Sequence, residues 1–166
     1  MHLIFGLILF VYAWFKHREQ LKIDWLSIAK FSGFMLFVTA LRWGIMDLTN
    51  DQFNFPQVSF WHFLTVFTED MAYAFPIYLA KDVFKVRKWI WVTLAVALSV
   101  HFASGHFYQG VVFGCISAVY PFFISYRYAK KTSFGTVMAA HIIYDFVTLA
   151  SVVLFHLARM MIMPPM

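Results

Sequence analysis

Apolar residues run along this chain in six blocks, parted by short stretches that hold most of its charge. The blocks are Met1 to Phe15, Trp25 to Met46, Ser59 to Ala80, about Trp91 to His106, Val111 to Tyr126, and Phe134 to Leu157. Helices rise ~1.5 Å per residue, and ~20 apolar residues match a bilayer core ~30 Å thick. The pattern therefore predicts an all-α fold: a polytopic transmembrane helix bundle of about six spans, forming one domain over 1–166. The first block has its cations, Lys16 and Arg18, after the apolar run rather than before it, which is the reverse of a secretory signal. It reads as a short first span, or as an interfacial helix, since runs of ~10–14 apolar residues are usually too short to cross.

Charge sharpens the picture. The loops after the first, third and fifth blocks hold Lys16, Arg18, Lys22, Lys81, Lys85, Arg87, Lys88, Arg127, Lys130 and Lys131, ten of the thirteen cations. The loops after the second and fourth hold none. By the positive-inside rule this alternation expects an integral, multi-pass protein with Lys85 and Lys130 on the cytoplasmic side and Asp51 outside; in a bacterial source the membrane would be the cytoplasmic (inner) one. The bilayer is then the expected partner. The net charge of +5 gives no ground for expecting nucleic acid, because the cations are divided among loops rather than laid on one face. With 62% hydrophobic and only 13% charged residues, the composition suits a membrane protein better than a soluble domain. The single Cys115 lies in an apolar run, so no disulfide framework is expected.

Three polar constellations interrupt the apolar blocks. Glu69 and Asp70 are adjacent carboxylates ~15 Å into the third block, where an acid costs roughly 2.5–3.5 kcal/mol on insertion scales and so reads as functional and protein-facing. Pro76, about two turns on, removes a backbone donor and predicts a kink beside them. The plain alternative is that the two acids only pair with a cation on a neighbouring helix. In the second constellation Phe102 and His106 share a face, with Ala103, Ser104 and Gly105 leaving room for close helix approach. His101 is offset to another face. In the third, His141 and Asp145 are one turn apart, and a carboxylate beside an imidazole fixes its tautomer and raises its basicity. The plain alternative there is a self-satisfied pair joining two helices.

Taken in order, Glu69-Asp70-Met71-Ala72-Tyr73-Ala74, Phe102 to His106, and His141 to Asp145 resemble the EExxxR, FxxxH and HxxxN/D motifs of the CPBP family. These are the CAAX prenyl-protein endopeptidases and bacteriocin-processing proteins, also called the Abi family. The resemblance covers about 61–149 and includes the approach from Tyr126 to Gly135. It departs twice: Asp70 stands for the second Glu, and Ala74 stands for the Arg.

The resemblance implies an intramembrane endopeptidase acting on a membrane-associated peptide or protein. Glu69 would be the general base and His106 would help hold the water. His141 and Asp145 would stabilise the oxyanion, with Asp70 beside the base. It equally admits a Zn²⁺ held by Glu69, His106 and His141 with an open fourth position. Without the motif Arg, the counter-charge for the acids is expected from Arg42, from an imidazolium at His106, or from a metal. Two other classes fit the same residues. One is a non-catalytic scaffold of the same type, with an immunity or regulatory role. The other is an ion or haem conduit, which a visible absorption spectrum would reveal.

Overall fold

Particular residues decide where the apolar blocks begin and break. In the computed structural model, which describes residues 2–49 and 60–162, helix α1 spans His2–Lys16 and a 3₁₀ turn follows at Arg18–Leu21. Asp24 then starts α2 (Trp25–Thr49): its carboxylate accepts the backbone N–H of Leu26 at 3.1 Å and the Ser27 hydroxyl at 2.6 Å, satisfying donors that a first helical turn leaves open. The third block does not run through. It forms α3 (Phe60–Tyr73), breaks at Ala74, resumes as α4 (Phe75–Tyr78) with Pro76 in its first turn, and closes in a π-helical turn at Leu79–Val83. Helix α5 (Lys88–Ser104) ends at Gly105. Helix α6 (Val111–Ser117) gives way to a second π-helical segment, Tyr120–Tyr126, at whose start Pro121 sits. Helices α7 (Arg127–Lys131) and α8 (Phe134–Ile162) complete the described fold, which is helical in all its regular elements.

These breaks overturn the expected transmembrane bundle. Among the described residues, no helix is long and apolar enough to cross a membrane. The α1 helix has 15 residues and α5 has 17, both short of the ~20 that a bilayer core requires. The third block is cut at Ala74 and the fifth at Ala118–Val119. The α2 and α8 helices are longer, but Lys30, Arg42 and Asp47 interrupt the one, and His141, Asp145 and Arg159 the other. The expectation of an integral multi-pass protein falls with it, because apolar blocks were counted as spans without regard to their breaks. The loop at 50–59, with Asp51, and the tail beyond 162 lie outside the described residues, as does the side chain of Arg42.

Helix α3 packs against both α1 and α8, and α2 packs against α8. Phe31, Phe75, Phe134, Met71, Ile77 and Val137 fill the core between them. The Ser32 hydroxyl donates to the Ala140 carbonyl at 3.1 Å, and the Phe31 ring stacks on Tyr128 at 4.4 Å. At Gly6 the α1 backbone comes so close to α3 that an added Cβ would stand 2.5 Å from the Thr68 carbonyl oxygen. That oxygen is backbone and Thr68 is fully buried, so neither yields cheaply. Gly6→Ala is therefore expected to destabilise the fold by about 1–3 kcal/mol, read as a lower urea midpoint at unchanged slope.

Candidate active site

Successive residues of a helix point about 100° apart, so only one of the two adjacent acids on α3 can face the core squarely. It is Asp70, which is 1% exposed, while Glu69 is half-buried beside it. Two elements deliver three hydroxyl and ring donors to Asp70. The π segment brings Tyr120, whose hydroxyl donates to Oδ1 at 3.0 Å, and Ser125, whose hydroxyl donates to the same oxygen. Helix α8 brings His141, whose Nδ1 lies 3.2 Å from Oδ2 and 2.9 Å from the Tyr120 oxygen. The single Tyr120 proton points at Asp70, so the Tyr120 oxygen can only accept from His141. The network therefore assigns a proton to Nδ1 and leaves Nε2 as the ring nitrogen uncommitted to it.

Electrostatics follow from this burial. Desolvation alone would lower the His141 pKa, but the Asp70 carboxylate, seconded by Asp145 and Glu69, outweighs it and raises the ring to about 10. His141 is an imidazolium at neutral pH and supplies the counter-charge that Ala74 does not. Burial, then the charge of Asp70, pushes the Tyr120 phenol well above its ordinary value, so it remains a donor. Burial and the Glu69 charge likewise raise Tyr73 to about 12, and its hydroxyl meets His101 Nδ1 at 2.9 Å.

The expected site residues are thus placed as follows. Asp70 and His141 are in direct contact. Glu69 and Asp145 are half-buried, and the charge of each acts on both Tyr120 and His141. His106 follows α5 in the turn after Gly105, where its Nδ1–H donates to the Phe102 carbonyl at 2.7 Å and its ring lies 4.3 Å from Phe102. Phe102 in turn stacks on Tyr120 at 5.5 Å, so one aromatic ring stands between the described contacts of His106 and the Asp70 network. His141 and Asp145 do share a face of α8.

No family model, no curated protein and no solved structure matches this chain.

The site is therefore read from its own chemistry. Among the described residues, no group of three or more His, Cys, Asp or Glu side chains is placed to hold a metal ion. The set Glu69, His106 and His141 does not form such a group. Tyr120 and Ser125 escaped sequence reasoning. They are five residues apart, which an α-helix separates by about 140° but a π-helix, bonded from i to i+5, brings to one side. The one available signal was Tyr120-Pro121 inside an apolar run, which marks a break but not a site.

Proposed function

We propose that this chain is a peptide-bond hydrolase that works by acid–base chemistry, with the Asp70–Tyr120–His141 network as its fixed half and Glu69 as its base. The observation that carries this reading is the buried His141 imidazolium, held at Nδ1 by Asp70 and Tyr120. Amide hydrolysis needs a base to take a proton from water and a donor for the negative charge that develops on the carbonyl oxygen. Glu69 is the half-buried carboxylate of the pair, next to Asp70 on α3, and in this reading it accepts the water proton. The Nε2–H of His141 is the donor directed away from Asp70, and it stabilises the oxyanion. Asp70 keeps that ring charged and oriented, and Tyr120 keeps its hydroxyl proton throughout, because losing it beside Asp70 would set two anions together. Asp145, one turn along α8, adds to the field that holds the imidazolium. The resemblance to the CPBP endopeptidases points to the same division of labour between an acid pair and a histidine.

A second reading has a specific observation behind it. Asp70 is 1% exposed and accepts from three donors, which is also what a purely structural polar centre looks like. One experiment separates the two. Purified chain is incubated with a mixture of unstructured peptides, and new termini are read by mass spectrometry, beside Glu69→Gln prepared in the same way. Cleavage by the wild type that is lost in a folded Glu69→Gln variant supports the hydrolase. No cleavage by a folded wild type overturns it and leaves the scaffold reading.

A further inference from the structure

The turns at 16–24, 79–88 and 127–133 meet at one end of the helix bundle. The Lys22 carbonyl accepts the hydroxyls of Ser133 and, at 3.3 Å, Thr136, and the Asp24 backbone N–H donates to Thr136 at 3.0 Å. Asp82 joins the other two turns, accepting from Lys130 at 2.6 Å and from the Tyr126 hydroxyl at 2.7 Å. The topology therefore gathers on one end the ten cations that the sequence spreads over three loops. Nine of the ten are exposed, and Lys81 is half-buried over the Trp91 ring at 4.4 Å. Against them stand the carboxylates of Glu19, Asp24 and Asp82. Asp24 is occupied with the first turn of α2, and Asp82 with Lys130 and Tyr126. The end is strongly and locally positive.

Large apolar side chains stand among these charges. Trp25 is 72% exposed beside Lys22, Phe84 is 63% exposed beside Lys85, and Trp89 is 65% exposed beside Arg87 and Lys88. A nucleic-acid duplex or an acidic protein surface would satisfy the cations and leave these rings in water. An anionic lipid surface satisfies both: its headgroups take the Lys and Arg charges, while Trp and Phe seat at the boundary between headgroup and acyl chain. We propose that this basic, aromatic-studded end docks on an anionic phospholipid surface. The contact is made by one end of the bundle lying on the surface, so it requires no helix to cross, and it is independent of the hydrolase reading.

The test is flotation of the full chain with vesicles of phosphatidylcholine alone, or of phosphatidylcholine with phosphatidylglycerol, over a salt series. Binding is expected to the anionic vesicles, at least ~10-fold stronger than to the neutral ones and weakening as salt rises. Combining Lys85→Glu, Arg87→Glu and Lys88→Glu is expected to lower that binding by roughly 100-fold. The pair Arg127→Glu and Lys131→Glu, on a different turn, is expected to act in the same direction, and circular dichroism reports whether each variant keeps its helices. Trp25→Ala with Trp89→Ala is expected to weaken binding while preserving its salt dependence. Equal partitioning into neutral vesicles overturns the proposal, as does indifference to both charge variants when both are folded. If the Trp variants are without effect and an oligonucleotide displaces the chain from vesicles, the end is a general polyanion site and the lipid assignment is wrong.

Discussion

Replacing Asp70 with Ala is expected to destabilise the protein by about 3–5 kcal/mol, a large share of the roughly 5–15 kcal/mol that typical domains possess. Asp70 is the common acceptor of Tyr120, Ser125 and His141 in a fully buried place. Its removal orphans two hydroxyl donors and leaves an imidazolium without its nearest counter-charge. A urea titration of the folded variant measures the loss. A cost below ~1 kcal/mol would mean that water or a neighbouring acid takes over the three donors, and the network would not be the polar keystone described above.

The same pair gives a pH dependence of known sign. The His141 pKa is raised in the fold, from 6.5 to about 10, by the nearby carboxylates against the lowering effect of burial. A group raised on folding contributes stability that is fully present below its unfolded value and is lost as pH climbs through its folded value. Between pH 6.5 and about 10, then, wild-type stability is expected to decline, by up to about 1.4 kcal/mol per pH unit at its steepest. Other groups also change charge toward alkaline pH, so the diagnostic quantity is the difference from Asp70→Asn. That variant keeps the shape of the side chain and removes its charge, and its stability is expected to be much flatter across the window. Parallel curves for the two proteins would show that Asp70 is not what holds the proton on His141.

How much of this was legible beforehand depends on what kind of signal each residue emits. Asp70, Glu69, His141 and Asp145 stand out because charge inside an apolar block has few ordinary explanations, and Pro76 marked the break beside the acids. Which acid faces the core was not legible. Apart from Thr65 and Thr68, the residues around Glu69 and Asp70 are apolar or aromatic, so the pattern offers little by which to set a 100° rotation. The counter-charge was sought at Arg42, His106 or a metal, whereas His141 supplies it; that depends on how α3 and α8 approach each other, which one-dimensional spacing does not record. Tyr120 and Ser125 were hidden by the π register. The membrane reading went wrong for a related reason. Apolar length was read off the blocks, whereas the chain breaks at Ala74, Gly105 and Ala118–Val119, which end helices within or at the edge of those blocks. The ten cations were recognised as one group in the sequence, and the turns of the structure do bring them to one end.

If the hydrolase reading holds, Glu69→Gln is expected to lower kcat/KM by about 10²–10⁴-fold, the range that a positioned general base contributes. Gln keeps the size and polarity of the side chain but cannot take a proton from water, and Glu69 is only half-buried, so stability should change little. Replacing His141 with Gln is expected to cost a similar ~10²–10³-fold, the loss measured for one oxyanion donor, with the burden on kcat because the donor strengthens its bond as negative charge develops. The two variants differ in their pH profiles. Wild-type activity is expected to fall as pH rises through about 10, where His141 gives up its proton, and the residual activity of Glu69→Gln should retain that alkaline limb. The residual activity of His141→Gln should lack it. In Asp70→Asn the limb should move toward neutral pH, because the carboxylate that holds the proton on the ring is gone. Loss of activity in His141→Gln with the alkaline limb unmoved would assign that limb to another group and remove His141 from the oxyanion role. Full activity in Glu69→Gln would remove the base.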